Sequence, residues 1–139
     1  VRNIRYPTIE QSSINDCGAS CLYMILKYYG GFETLDNLKE LTHTKKEGTT
    51  FFELKEAAIS LGFDVSCYHV NEIKKDFAPF IAHVRIDDTY YHYIVVYKVF
   101  KNKVLVADPE KGILEYWSMK QFNRVFEGNI MLLYPSHPL

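Results

Sequence analysis

A chain of 139 residues with 47% hydrophobic and 24% charged side chains has material for one ordinary domain with its own core, and none for two. Sixteen Lys and Arg against seventeen Asp and Glu leave a formal charge of −1, so no global field favours a polyanion, and nucleic acid is not an expected partner. Three cysteines are too few for a disulfide framework, and no apolar run nears the roughly 20 residues of a spanning helix.

The charged start Val1-Arg2-Asn3-Ile4-Arg5 is not followed by a secretory apolar region, so free thiols in a reducing compartment are expected. The missing initiator Met and the Tyr134-Pro135-Ser136-His137-Pro138-Leu139 end suggest a piece of a longer protein. Neither an internal repeat nor a low-complexity stretch divides the chain, and residues 1–139 read as one unit.

Val1 to Ile14 lack periodicity, and Pro7 disfavours helix at Tyr6, so the chain opens with an extended or looped lead-in. From Cys17 onward Cys21, Met24, Ile25 and Tyr28 recur at helical spacing; Asn15 or Asp16 can cap the start, and Gly30-Gly31 stops the end. Thr34 opens a second short helix with Leu35, Leu38 and Leu41 on one stripe. Thr50 with Glu53 forms a capping box for a third, lined by Leu54, Ala57, Ala58 and Leu61 and ended by Gly62.

The texture then changes to β: Phe63 to Val70, Phe80 to Ile86, Tyr90 to Phe100, Val104 to Ala107, Ile113 to Trp117 and Asn129 to Tyr134. Asp87-Asp88, Lys101-Asn102 and Glu110-Lys111-Gly112 supply short turns, which join antiparallel neighbours. Ser118 with Gln121 reads as a second capping box, for a helix from Met119 to Val125. Helices first and an antiparallel sheet second make the fold class α+β.

Cys17 falls where loop becomes helix, and such a start presents unpaired N–H groups and the positive dipole end, surroundings in which cysteines act as nucleophiles. The alternative is a small core hydrophobe, which suits Cys21 within the apolar stripe and Cys67 in a strand better. Cys17 and Cys21 lack third and fourth ligand partners, so no metal is expected.

A cysteine nucleophile needs a base that later protonates a leaving amine, the work of a histidine. His43 and His137 read as solvated, and His69 and His83 as packed strand residues. His92 begins the most apolar strand, rigid yet near solvent, although a hydrogen-bonded sheet histidine is the alternative. Asp108, in Val106-Ala107-Asp108-Pro109, can orient a base or simply cap a turn. A plain hairpin at Lys101-Asn102 sets Asp108 opposite Val95, roughly 10 Å along the strand from His92 and on the other face. Bringing the two together requires a bulge, a longer turn or strong twist. Gln11 on the lead-in could fold back to offer an amide to an oxyanion, or be an exposed loop residue.

In order along the chain, Gln11-Ser12-Ser13-Ile14-Asn15-Asp16-Cys17-Gly18-Ala19, then His92-Tyr93-Ile94-Val95-Val96, then Val106-Ala107-Asp108-Pro109 resemble the motifs of the C39 peptidase domain. This is the papain-like cysteine protease found at the N-terminus of ABC transporters that process and export bacteriocins and lantibiotics. Gly48-Thr49-Thr50 and Pro79-Phe80-Ile81-Ala82-His83 fit the same pattern. The resemblance implies a papain-like fold with Cys17 as nucleophile, His92 as base and acid, Asp108 as orienting carboxylate and Gln11 as oxyanion donor. It implies a precursor peptide cut after a double-glycine-type pair (Gly-Gly, Gly-Ala or Gly-Ser). It implies no cofactor, and as partners the membrane and ATP-binding domains of a transporter at the cytoplasmic face of the bacterial plasma membrane. Phe51, Phe52 and Tyr91 are expected on the leader-binding surface, with core packing the alternative for each. A module that binds the leader without cutting it, and a papain-like hydrolase of other amides, are the rival readings.

Overall fold

The computed structural model describes residues 5–87 and 90–139. Three helices come first: α1 (Cys17–Tyr28), α2 (Leu35–Leu41) and α3 (Phe51–Ser60). Strands follow as β1 (Phe63–His69), β2 (Phe80–Asp87), β3 (Tyr90–Val99), β4 (Lys103–Asp108) and β5 (Ile113–Ser118), then α4 (Met119–Val125) and β6 (Phe126–Pro135). The strands form one six-stranded sheet in the order β1-β6-β2-β3-β4-β5, every neighbour antiparallel. This is the α+β architecture expected from the change of periodicity at Gly62.

Both faces of the sheet are covered, which is why β3 reads as an almost unbroken apolar run. Helices α1 to α3 lay Cys21, Leu22, Ile25, Leu38, Leu54 and Ala58 on Ile81, Val95, Leu105, Ala107, Met131 and Leu133. Phe122 of α4, Trp117 of β5 and Ile73 close the opposite face over Phe80, Ile94, Val96, Val106 and Ile130. α1 packs on β3 and against α2 and α3, α3 also lying on β1, and nine residues of α1 are buried around nearly its whole circumference. Its end is set by Gly30 at φ +87°, where the Gly31 N–H returns to Leu26 O at 2.9 Å. Among the described residues no helix is long and apolar enough to cross a membrane.

Several local expectations need correction. Asp16 occupies the N-cap position of α1, but its carboxylate makes no cap bond; it turns back to Ser12 and Ser13 in the lead-in. The Thr50–Glu53 capping box is complete, whereas at α4 only Ser118 accepts from the Gln121 N–H and the reciprocal half is missing. On α2 only Leu38 is buried and Leu41 is exposed, because the helix is too short to present a full stripe to α1. Cys67 is exposed rather than core, since β1 is an edge strand. β6 begins at Phe126, three residues before the expected Asn129, directly at the end of α4. Of the expected Asp87-Asp88 turn, Asp87 ends β2 and Asp88 lies outside the described residues.

Candidate active site

The first residue of α1, the start of β3 and the end of β4 meet at one place. His92 Nε2 and Asp108 Oδ1 are 2.6 Å apart, and the two side chains are 0% and 4% exposed. The hairpin at Lys101-Asn102 forms as expected, with Phe100 N–H donating to Lys103 O and Val99 opposite Val104. Between Lys98 and Val96 the register shifts by one, so that Val96 pairs with Val106 and Val95 with Ala107. Carried on one residue, this sets Asp108 opposite Ile94 instead of Val95. Because faces alternate, the same shift turns Asp108 onto the face that His92 shares, as a diagonal cross-strand neighbour within side-chain reach. The extra residue is Tyr97, whose ring packs against Tyr6 and Tyr28 and whose hydroxyl donates to Pro7 O at 2.6 Å.

Burial opposes a charge on His92, but the hydrogen bond to Asp108, followed by the contact with the Cys17 thiol, outweighs it and raises the imidazole from 6.5 to about 9. Burial likewise opposes the Asp108 charge; the bonds from His92 and from the Glu110 N–H overcome this and hold the carboxyl below its ordinary 3.8. The pair therefore favours imidazolium and carboxylate together. With Nε2 engaged by Asp108, Nδ1 is the ring nitrogen that can face the sulfur. Glu110 brings a third ligand-type atom within 4.8 Å of the other two, yet Nε2 and Oδ1 already occupy each other.

Cys17 is 8% exposed and lines a cleft of about 620 Å³ together with His92. The other walls come from Ile14 and Asn15, the 46–50 loop, and His83, Tyr91 and Tyr93. Behind Cys17 the helix is seated closely. A Cβ on Gly18 would overlap the Thr49 methyl and crowd the Tyr93 ring, while Tyr93 Oη donates to Thr49 O at 3.1 Å. Thr49 and Tyr93 were missed as site residues by sequence reasoning; the apolar neighbours of His92 and the Gly48-Thr49-Thr50 stretch carried the only signal.

Gln11 is anchored by its N–H to Pro109 O at 2.7 Å, immediately after Asp108. Its Oε1 is buried and has no hydrogen-bond partner among the described residues. Of the three expected surface aromatics, Tyr91 is 51% exposed and lines the cleft. Phe51 instead stacks on Tyr93 at 5.7 Å, and Phe52 is exposed outside the cleft wall. His83 is sandwiched by Tyr91 and Tyr93 at 5.1 and 5.0 Å, and burial lowers its pKa, as suits a packed neutral ring. His43 and His137 are exposed, and His69 pairs with Asn129 in β6. Cys21, fully buried one turn from Cys17, has its thiol pushed well up by burial.

The family model described as Peptidase C39 family matches residues 5–137. The chain is similar to the lactococcin-G-processing and transport ATP-binding protein LagD of Lactococcus lactis subsp. lactis, 37% identical over 131 residues, 91% of this chain. It spans only 18% of the length of that relative. Among solved structures, the peptidase domain of Streptococcus ComA, a bi-functional ABC transporter involved in quorum sensing, superposes with a TM-score of 0.84 at 30% identity, covering 94% of this chain and 98% of that one. A double-glycine-motif protease from an AMS/PCAT transporter, solved with its leader peptide, shares the fold at a TM-score of 0.82 and 24% identity, over 93% and 91% of the two chains. The chain belongs to the Peptidase C39 family, a family of cysteine peptidases.

Proposed function

We propose that this chain is the peptidase part of a longer peptide exporter, and that it removes the leader of a bacteriocin-type or lantibiotic-type precursor after a double-glycine-type pair. The observation that carries this reading is the buried 2.6 Å His92–Asp108 pair with the Cys17 thiol in contact with the same imidazole at the edge of an open cleft. A histidine held as imidazolium beside a cysteine is the resting form of a thiol protease.

In this reading the resting pair already holds the proton on His92, and the Cys17 thiolate attacks the carbonyl carbon of the second small residue. Negative charge moves onto the carbonyl oxygen, where the Cys17 N–H and the Gln11 carboxamide stabilise it. The tetrahedral adduct collapses, the C–N bond breaks, and His92 gives its proton to the departing amine of the mature peptide. His92, now neutral, takes a proton from water, whose oxygen attacks the thioester and releases the leader as a carboxylate. Asp108 stays ionised throughout and holds the ring in its orientation. No step requires a metal or cofactor.

Small residues suit a cleft walled by Thr49 and Tyr93, which are packed tightly against Gly18 behind Cys17, with Tyr91 at its edge. The membrane and ATP-binding domains would lie outside this chain, which would then work at the cytoplasmic face of the membrane. Support comes from the transporter relatives, which are more than five times as long as the stretch matched. Incubating the chain with a double-glycine precursor and weighing the products tests the reading. Two fragments that sum to precursor plus water, with the cut after the second small residue, are expected. Unchanged precursor that remains bound would replace the enzyme by a leader-binding module, and equal cutting after bulky residues would remove the leader specificity.

A further inference from the structure

The residue before Cys17 is 1% exposed and acidic, and it does none of the work expected of an acidic N-cap. Asp16 Oδ2 accepts from Ser12 Oγ at 2.5 Å and from the Ser13 N–H at 3.1 Å, and faces Lys39 Nζ of α2 at 3.5 Å. Its own carbonyl accepts the Ser20 N–H, starting the helix, while its carboxylate leaves the first-turn N–H groups of α1 uncapped. Three elements thus converge on one buried carboxylate: the lead-in, the start of α1 and α2. The lead-in is fixed a second time, because Gln11 N–H is bonded to Pro109 O next to Asp108. Gln11 is therefore clamped between a tie to the end of β4 and a tie to the residue that precedes Cys17.

We propose that Asp16 is a positioning residue for the oxyanion site: it locks the Gln11-Ser12-Ser13 segment against the start of α1. The proposal rests on the oxyanion role given above to Gln11. An acceptor bonded to Ser12, Ser13 and Lys39 is needed there, so the effect of a substitution follows what it leaves in place. Asp16→Ala removes all three ties. Ser12→Ala removes one, at an exposed position whose loss leaves the fold intact. Asp16→Asn keeps an acceptor for Ser12 and Ser13 and loses only the charge toward Lys39.

The test uses the 139-residue chain and two probes. A leader peptide ending in glycinal forms a tetrahedral hemithioacetal, whose oxygen needs the oxyanion donors. Iodoacetamide alkylates Cys17 without them. Asp16→Ala is expected to lower kcat by about 100-fold with little change in KM, the scale of a lost oxyanion donor, and to weaken glycinal inhibition in parallel. Ser12→Ala is expected to give about a tenth of that effect, and Asp16→Asn to recover most of the activity. Alkylation should proceed at the wild-type rate in all three. Alkylation slowing in step with kcat, or glycinal inhibition unchanged in both Asp16→Ala and Ser12→Ala, would overturn the proposal. Gln11→Ala separates it from the reading beneath it: wild-type glycinal inhibition in that variant would remove the oxyanion role of Gln11, whereas weakened inhibition there with none in the Asp16 and Ser12 variants would remove only the tether.

Discussion

Replacing Asp108 by Asn keeps the size of the side chain and takes away the charge that faces His92. In the folded protein the imidazole is raised from 6.5 to about 9, and both partners of the 2.6 Å bond are buried. At about 1.4 kcal/mol per pH unit this corresponds to about 3 kcal/mol favouring the protonated ring in the native state. A group whose folded value is raised contributes fully below its unfolded value, so this stability is complete below pH 6.5 and is lost as pH rises toward about 9. Asp108 acts in the opposite sense: its value lies below 3.8, and its contribution is present above that pH and lost as acid protonates it. The stability gap between wild type and Asp108→Asn should therefore be about 3 kcal/mol wider at about pH 6 than at about pH 10. Without the carboxylate, burial is the larger influence on His92 and its value falls to 6.5 or below. At about pH 8 a ring titrating at about 9 is roughly nine-tenths protonated, against roughly 3% for one at 6.5. kcat/KM for precursor cleavage should then drop about 30-fold at that pH, with its alkaline limb moving from about 9 to about 6.5. Denaturant titrations and cleavage rates measured across this range provide the check. A stability gap constant to about pH 10, or an alkaline limb that stays in place, would refute the reasoning.

Cys17→Ala should abolish cleavage, while Cys21→Ala, a truncation inside the core one turn away, should keep most activity and cost about 1 kcal/mol in a urea melt. Gly18→Ala forces a methyl into Thr49 and Tyr93, so a loss of about 1–3 kcal/mol together with reduced kcat is expected from parallel melting and kinetic measurements. Tyr97→Phe removes the donor to Pro7 O and should lower stability by about 1 kcal/mol without moving the pH profile of kcat/KM. Tyr91→Ala strips the exposed aromatic edge of the cleft and should raise KM for the precursor more than it lowers kcat.

Much of this architecture is readable in the chain because local chemistry and tertiary packing agree. Thr34 and Thr50 cap the helices they precede, Gly30 stops α1 by taking a left-handed conformation, and the β-rich runs after Gly62 all become strands. Disagreement appears where a distant group competes for a local one. The Asp16 carboxylate is drawn from its helix by two serines behind it and by Lys39, twenty-three positions ahead on α2, a contact that no window of periodicity contains. Ser118 keeps its cap because its acceptor and donor are neighbours in sequence, and the reciprocal arm of that motif is absent.

The site divides in the same way. Cys17, His92 and Asp108 are legible as residue types at an element start, a strand start and a strand end, but their meeting depends on a one-residue shift that side-chain chemistry along β3 does not announce. Tyr97 reads as one more apolar strand residue; only its partners Tyr6, Pro7 and Tyr28, all distant in sequence, explain why the chain bulges there. The lead-in that supplies Gln11 is thereby linked to the β3–β4 pair at two points: Pro7 on Tyr97 of β3, and Gln11 on Pro109, just beyond Asp108 at the end of β4. A segment without periodicity of its own is held in place by the same irregularity that turns Asp108 toward His92. The β3–β4 register and the placement of Gln11 therefore rest on one strand pair, and a change that loosens the lead-in should displace Gln11 while leaving the His92–Asp108 pair in place.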